Sequence, residues 1–530
     1  MLFTSIKFIV FVAVLFCVYH VMPRKAKWPV LLAASIIFVY LSDETKWVFL
    51  TAMTFTAITS WAACLVMDRI ADETDSYIKA NKENLEKAQK KAVKEKAKSR
   101  KKFVMLICML ANLGMLAYTK YTNFVISNIN EILKEQVIRP SHLIVPLGIS
   151  FYTFRTVSYV IDVYRGTVKA EKNPLKVLLF VIFFPQLVQG PISRWGKLTP
   201  TLFAGEAVSG RGFASGLIRI LWGFFKKVVV ADRLVKAVLT IVHEPARYNG
   251  IFVLAALLFY AFELYCDFTG GIDITIGIGE CLGIKIEENF DLPFFSKSIK
   301  EYWNRWHMTM GQWFTDYIFY PLSVSPKMLN LSKWSRNKFG NVIGKRISVY
   351  IACFLVWLAT GVWHGAAWNF IVWGLLNFVV IMVSQELEPL YAKFHSRFGL
   401  KKYRWYGIFE ILRTFFLMGM IRMLDIYRDV PLTFRMLGTM FTRFRIRRLI
   451  DGSFLDLGMS AKEYILVAFC LLVIFLVSLY KALTHKDIRE KLTGNIILGC
   501  AVCVILILVT VIFGAYGHGF DSKQFIYNQF

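Results

Sequence analysis

A chain of 530 residues that is 56% apolar, 16% aromatic and only 19% charged cannot cover its apolar surface in water; soluble domains carry about 25% charged residues, and even a large core does not hide the excess. Intrinsic disorder is excluded on the same ground. The 63 Lys and Arg against 36 Asp and Glu leave a formal charge of +27, which beside a high aromatic count and long apolar runs fits a membrane protein with basic flanks better than a nucleic-acid binder, so no nucleic-acid partner is expected.

The pattern predicts an all-α polytopic membrane protein. A hydrocarbon core of ~30 Å takes about 20 apolar residues per helix. In chain order the candidate spans are 6–22, 28–42, 46–67, 103–127, 142–164, 175–192, 213–242, 250–283, 347–381, 405–425, 463–481 and 495–514. The 250–283 and 347–381 stretches exceed one upright helix, so each is read as two helices or as a helix plus a re-entrant piece. The first run resembles a signal peptide in length, but it lacks a basic start and a small-residue cleavage site, and it is read as a retained helix. Four parts follow: N-terminal transmembrane helices (1–67), a basic arm (68–102), a helical core (103–514) and a polar-aromatic tail (515–530). Residues 82–102 hold ten basic and three acidic side chains. The Ala/Glu/Lys/Gln pattern from Tyr77 to Ser99 reads as a solvated helix with charge pairs four residues apart, with a docking arm for anionic lipid or a partner as the functional alternative. Basic residues after the first and third spans put the N-terminus outside and these loops in the cytoplasm.

The nine cysteines lie mostly within apolar runs and read as small hydrophobic filler. Cys500 and Cys503 have no nearby histidine, so no metal or redox centre is expected there. No G-x-S-x-G, P-loop or H-E-x-x-H motif occurs, which disfavours a serine hydrolase, an ATP-driven pump and a zincin.

Ionisable groups at membrane depth are expensive and point to function. His364 is the sole ionisable side chain in the apolar run from Phe354 to Gly374. Thr360, Gly361, Gly365 and Asn369 around it suggest a helix break or a close approach. His307 lies in a second cluster, beside Arg305 and a stripe of Trp303, Trp306, Trp313 and Phe314 that suits an interfacial helix. A His and Arg that simply face water or headgroups are the competing reading. Glu263, Asp267 and Asp273 form a third cluster, read either as ion pairs with arginines or as a cation path. The glycines at 277, 279 and 283 miss the dinucleotide fingerprint. What remains is a membrane enzyme with histidine base chemistry, or a transporter using buried acids.

Several ordered blocks then resemble the membrane-bound O-acyltransferase family, in its bacterial alginate O-acetylation branch. They are Ser150–Phe154 with Ser158–Gly166, Phe184–Arg194, Tyr265–Gly270, Glu288–Pro293, Trp303–His307 and Thr360–Phe370. The resemblance implies a ring of about 11–14 transmembrane helices around a central tunnel, with re-entrant or interfacial helices. It implies His364 as the catalytic base and His307 as a second active-site histidine that orients or polarises the acyl carbonyl. A neutral imidazole suits proton removal from a hydroxyl near neutral pH. Trp303, Trp306, Trp363 and Trp368 would wall the tunnel against water, with Arg305, Asn369, Gln186 and Asp267 as further tunnel or binding residues.

No bound cofactor is implied. The donor would be an acyl thioester, with acetyl-CoA expected, and the acceptor a cell-surface polysaccharide. The other implied partners are an extracytoplasmic SGNH esterase-like transferase and the lipids of the bacterial cytoplasmic membrane. The tail from Phe525 to Phe530, after His518, is similar to the aromatic-tyrosine tail of that branch and implies Tyr527 as an acyl relay; an interfacial anchor is the alternative. The 68–102 arm, Glu263 where Gln is more usual, and Gly271-Ile272 depart from the family pattern. D-alanyl transfer to teichoic acid is the runner-up, and an acyl or lipid transporter stands for a different class.

Overall fold

The computed structural model describes residues 3–42 and 45–516, and the tail with His518 and Tyr527 lies outside them. The described residues are helical and contain no strand. The chain divides into two compact units, residues 1–209 with 279–286, and residues 210–278 with 287–530.

The first unit opens with α1 (Ile6–Val21) and α2 (Lys27–Tyr40). Ser5 caps α1 by accepting the Phe8 N–H at 3.2 Å. Phe3, Phe8 and Phe38 are fully buried together. The helices α3 (Lys46–Ala80) and α4 (Lys87–Leu133) follow. Their 35 and 47 residues reach about 52 and 70 Å at 1.5 Å per residue, beyond the hydrocarbon thickness. The basic arm of 68–102 continues these two helices past their apolar portions. The single helix expected over Tyr77–Ser99 is interrupted at 81–86, where Asn81 closes α3 and a Glu86/Gln89 capping box starts α4. Asn112 of α4 donates to Thr59 of α3 at 3.2 Å. The unit continues through α5 (Ile149–Arg165), α6 (Pro174–Ile182) and α7 (Trp195–Leu202).

The second unit begins with a continuous rod: α8 (Gly210–Phe224), a π-helical stretch (Phe225–Ala231) and α9 (Asp232–His243). Next is α10 (Ile251–Cys281), whose last three residues count with the first unit. Then come α11 (Ile299–Arg305), α12 (Met308–Phe314), a second π-helical stretch (Thr315–Phe319), α13 (Tyr320–Ser323), α14 (Pro326–His364) and α15 (Trp368–Glu386). The unit closes with α16 (Glu388–Phe398), α17 (Arg404–Tyr427), α18 (Val430–Thr442), α19 (Ala461–Thr484), α20 (Ile488–Leu492) and α21 (Ile496–Phe513).

Seven helices among the described residues are long and apolar enough to cross a membrane: α3, α4, α10, α14, α15, α19 and α21. This is a multi-pass membrane protein. The sequence predicts twelve spans, and the difference is physical. Helix α6 has only nine residues, α5 buries Thr153, Arg155, Thr156 and Ser158, and α17 buries Thr414, Arg422 and Asp425. Such helices turn polar groups inward, which lowers their mean hydropathy.

Helix α10 is one unbroken element of 31 residues, where the sequence predicts two helices or a helix plus a re-entrant piece. Its glycines serve packing. A Cβ on Gly270 would lie 2.8 Å from the Gly223 carbonyl oxygen, and one on Gly277 would lie 2.7 Å from that of Gly216. Helices α8 and α10 thus meet backbone to backbone, the use of small residues expected in a membrane. Conversely, a Cβ on Gly223 would sit 2.5 Å from the Gly270 oxygen. Gly223→Ala should therefore lower stability by about 1–3 kcal/mol through overpacking. Gly438→Ala, where nothing lies within 4 Å, should be neutral or stabilising by up to ~1 kcal/mol. Thermal unfolding of the two variants in one detergent makes the comparison.

Candidate functional site

The expected helix through Trp303, Trp306 and Trp313 is broken at the histidine. Helix α11 ends at Arg305, α12 begins at Met308, and His307 between them has φ 47° and ψ 51°. A non-glycine residue in the left-handed region costs ~1–2 kcal/mol and needs a local reason. The reason is Asn289. Its Oδ1 accepts from the Thr309 N–H at 3.1 Å and from Thr309 Oγ1 at 2.8 Å, and it faces His307 Nδ1 at 3.2 Å. The Met308 N–H donates to the Asn289 carbonyl at 2.9 Å, and the Asp291 N–H to that of Arg305 at 3.0 Å. The 287–291 segment is anchored in turn, because Arg219 grips Glu288 with two bonds of 2.7 and 2.6 Å.

These contacts fix a tautomer. A backbone N–H can only donate, so the Asn289 atom it meets is the oxygen. The imidazole nitrogen facing that oxygen must then carry the proton. His307 holds its proton on Nδ1 and presents a lone pair at Nε2. Its side chain is not at a water interface, since the residue is only 1% exposed. Burial, and then the charge of Arg422, push its pKa down from 6.5 to about 3, so the ring is neutral across the physiological range. Phe268 packs edge-on against it at 4.9 Å.

His364 is the last residue of α14, and α15 starts at Trp368. The tight hairpin depends on glycines: a Cβ on Gly361 would meet the Phe370 carbonyl oxygen at 2.5 Å, and one on Gly374 that of Trp357 at 2.5 Å. The His364 ring lies 4.6 Å from Trp373 and 5.1 Å from Trp363, and Trp363 lies 6.1 Å from His307. The two histidines thus flank one indole.

Trp303 packs 5.7 Å from Trp373. The indole N–H groups of Trp303 and Trp373 are buried, and neither has an acceptor among the described residues. Trp306 is buried, stacks on Tyr302 at 5.6 Å and lies under the Arg422 guanidinium at 4.3 Å. Asn369 is buried and donates to the Leu424 carbonyl at 3.1 Å, while its Oδ1 finds no donor among the described residues.

Other expected residues fall elsewhere. Trp368 is 57% exposed and is not a buried wall. Arg305 pairs with Glu301 at 2.8 Å. Asp267 is bound by Lys227, which also holds Asp232 at 2.7 Å, while Asp273 is held by Lys226 at 2.6 Å and Arg219 at 2.9 Å. Two of the three acids are thus held in ion pairs, more with lysine than with arginine, while Glu263 is buried with no ion pair among the described residues. Gln186 belongs to the first unit, where it is buried and donates to Ser193 Oγ at 2.6 Å. Tyr527 is outside the described residues.

Sequence reasoning missed Asn289, Tyr302, Trp373 and the pair Arg422 and Asp425. That pair sits in α17 with its ions 3.5 Å apart, and Arg422 Nε reaches the Tyr302 hydroxyl at 3.3 Å. Two ionisable residues three apart in an apolar run were the signal.

Residues 171–424 match the family model described as MBOAT, membrane-bound O-acyltransferase family. The probable alginate O-acetylase of Pseudomonas aeruginosa is 34% identical over 286 residues, 53% of this chain and 51% of that protein. The peptidoglycan O-acetyltransferase of Helicobacter pylori is 32% identical over 321 residues, 56% of this chain and 58% of its own. The teichoic acid D-alanyltransferase of Bacillus subtilis is 31% identical over 283 residues, 52% of this chain and 67% of its own. The chain thus spans about half the length of the O-acetylating relatives it matches.

The tautomer can be checked without turnover. Nitrogen NMR of histidine-labelled protein, with His307→Gln to assign the signal, should show a neutral ring protonated at Nδ1 from pH 8 down to pH 5, because the folded pKa lies well below that window. Asn289→Ala should give a mixture of tautomers. A His307 signal that titrates near 6.5 in the unmodified protein would contradict the assignment.

Proposed function

The chain belongs to the membrane-bound O-acyltransferase family, and from that premise we propose that it moves an acyl group, acetyl in our reading, from a thioester donor to a hydroxyl for O-acetylation of a cell-surface polysaccharide. The observation that carries this reading is the neutral His307, held with a lone pair at Nε2 by Asn289 and sharing Trp363 with His364.

The step itself is acyl transfer. A hydroxyl oxygen attacks the thioester carbonyl, the C–O bond forms and the C–S bond breaks. The hydroxyl proton passes to an imidazole nitrogen and then to the departing sulfur. A neutral ring whose Nδ1–H is committed to Asn289 has only a lone pair at Nε2, and so cannot donate to a carbonyl. His307 accordingly accepts a hydrogen bond or a proton, and the carbonyl-polarising role first assigned to it passes to the buried indole N–H groups of Trp303 and Trp373. His364 remains the expected base, the signature histidine of the family. The apolar packing around the pair limits water and hence thioester hydrolysis.

Acetyl-CoA is the proposed donor and an extracytoplasmic SGNH esterase-like transferase the proposed partner. Tyr527 is the proposed relay between them. The distribution of Lys and Arg supports a place in the bacterial cytoplasmic membrane with the N-terminus outside. D-alanyl transfer to teichoic acid stands as a second reading, favoured by the 67% of the Bacillus subtilis enzyme that aligns. The transporter reading loses its support, because Asp267 and Asp273 are each bound by lysine.

Purified full-length protein supplied with acetyl-CoA should release thiol and carry an added acetyl mass on the peptide containing Tyr527. His364→Ala and His307→Ala should each cut thiol release by roughly 10²–10⁴-fold while eluting as folded protein. Tyr527→Phe should keep the fold and lose the acetyl-peptide. An undiminished rate in either histidine variant overturns the site, and polymer acetylation at the parent level by Tyr527→Phe overturns the relay.

A further inference from the structure

Two loops of the second unit meet in a place the acyl-transfer reading does not use. One joins α9 to α10, and the other follows α18. Gly250 closes the contact. Its φ is +62°, a Cβ there would lie 2.2 Å from the Arg443 carbonyl oxygen, and its N–H donates to Thr439 Oγ1 at 3.0 Å. Only glycine fits such an approach.

Between the loops lies a cavity of about 470 Å³, walled by Arg247, Arg443, Arg445, Arg448 and Asn249 and by no carboxylate. Arg247 is paired with Asp456 at 3.0 Å and Glu244 at 3.6 Å, and Arg448 with Asp451 at 3.5 Å and with Ser453 Oγ at 3.2 Å. The Arg443 and Arg445 side chains have no ion pair or hydrogen bond among the described residues. Ile251 and Phe252, at the start of the 31-residue α10, line the same cavity, so the positive end of that helix adds to the guanidinium field. Arg443 and Arg445 thus bring two uncompensated cations beside two paired ones, and an anion in the cavity would relieve their mutual repulsion. The planar fork of arginine matches the paired oxygens of a phosphate.

The same loop says where that phosphate comes from. Phe441 is 79% exposed and Ile450 is 88% exposed, with Ile446 between them also exposed and the arginines interleaved. In water this juxtaposition is unfavourable. At the headgroup layer the apolar groups enter the acyl region and the guanidiniums stay at phosphate level. We propose that this cavity binds the headgroup phosphate of an anionic membrane lipid.

Native mass spectrometry of the full-length protein in a neutral detergent, titrated with phosphatidylglycerol or phosphatidylcholine, tests it. The parent protein should retain phosphatidylglycerol in preference. Replacing both Arg443→Gln and Arg445→Gln should weaken that binding about 30-fold, since two arginines near a headgroup are each worth ~1 kcal/mol. Arg447→Gln lies on the same loop but off the cavity wall, and it should change binding less than about threefold on the same scale. Equal retention of the two lipids by the parent protein overturns the proposal, even if the double variant does not fold. An equal loss in Arg447→Gln overturns it too, because loop charge alone would then suffice. Displacement of the lipid by equimolar inorganic pyrophosphate would reassign the cavity to a soluble phosphate compound.

Discussion

The Asn289 side-chain oxygen receives three donors: His307 Nδ1, the Thr309 N–H and the Thr309 hydroxyl. With the backbone bonds from Met308 to Asn289 and from Asp291 to Arg305, they hold the left-handed backbone at His307. The conformation costs ~1–2 kcal/mol, and buried hydrogen bonds contribute ~0.5–1.5 kcal/mol each, so three of them are enough to offset it. They also do what an apolar contact cannot: they decide which nitrogen of the ring carries the proton. The break between α11 and α12 is therefore the means by which one imidazole is pinned and oriented. Burial keeps it neutral, and Asn289 keeps its lone pair turned away from its own anchor.

The charges nearby serve the same scaffold. Arg219 bonds both Asp273 of α10 and Glu288, the residue before Asn289. Lys226 and Lys227 are consecutive, yet both reach acids of α10. The π-helical stretch that carries them, Phe225–Ala231, changes the usual rotation per residue, a local irregularity found often at functional sites. A buried ion that loses its partner costs ~3–5 kcal/mol, so each pair holds its neighbour in one position. The network accounts for two of the three acids in this apolar helix, Asp267 and Asp273.

How much of this was legible in the sequence depends on the kind of signal. The all-α membrane class follows from apolar run lengths, and the sharp end of α14 at His364 follows from the glycines around it. The unbroken α10 does not follow from the sequence, because its length exceeds one upright helix and nothing in its glycine spacing says that these residues pack against α8. The break at His307 was hidden by aromatic spacing that suits a continuous helix. Nothing local marks it, since its cause is Asn289, 18 residues earlier. Arg422 and Asp425 were visible as two ions in an apolar run. Their pairing across to Tyr302 and Trp306 was not, because a chain of letters does not say which helix faces which.

Helix α10 ties these elements together. Asp267 meets Lys227, and the next residue, Phe268, meets His307. Adjacent residues on a helix point about 100° apart, so this one helix presents a charge to one neighbour and an aromatic edge to another. Its rotation is set by the glycine contacts with α8 at Gly223 and Gly216. A slip of one residue along that contact would shift the helix by ~1.5 Å and turn it by ~100°. Phe268 would leave the imidazole, and Asp267 would leave its lysine. Catalytic groups tolerate displacements of only about 0.5 Å. The register of two helices packed through glycine is thus a condition for the histidine site.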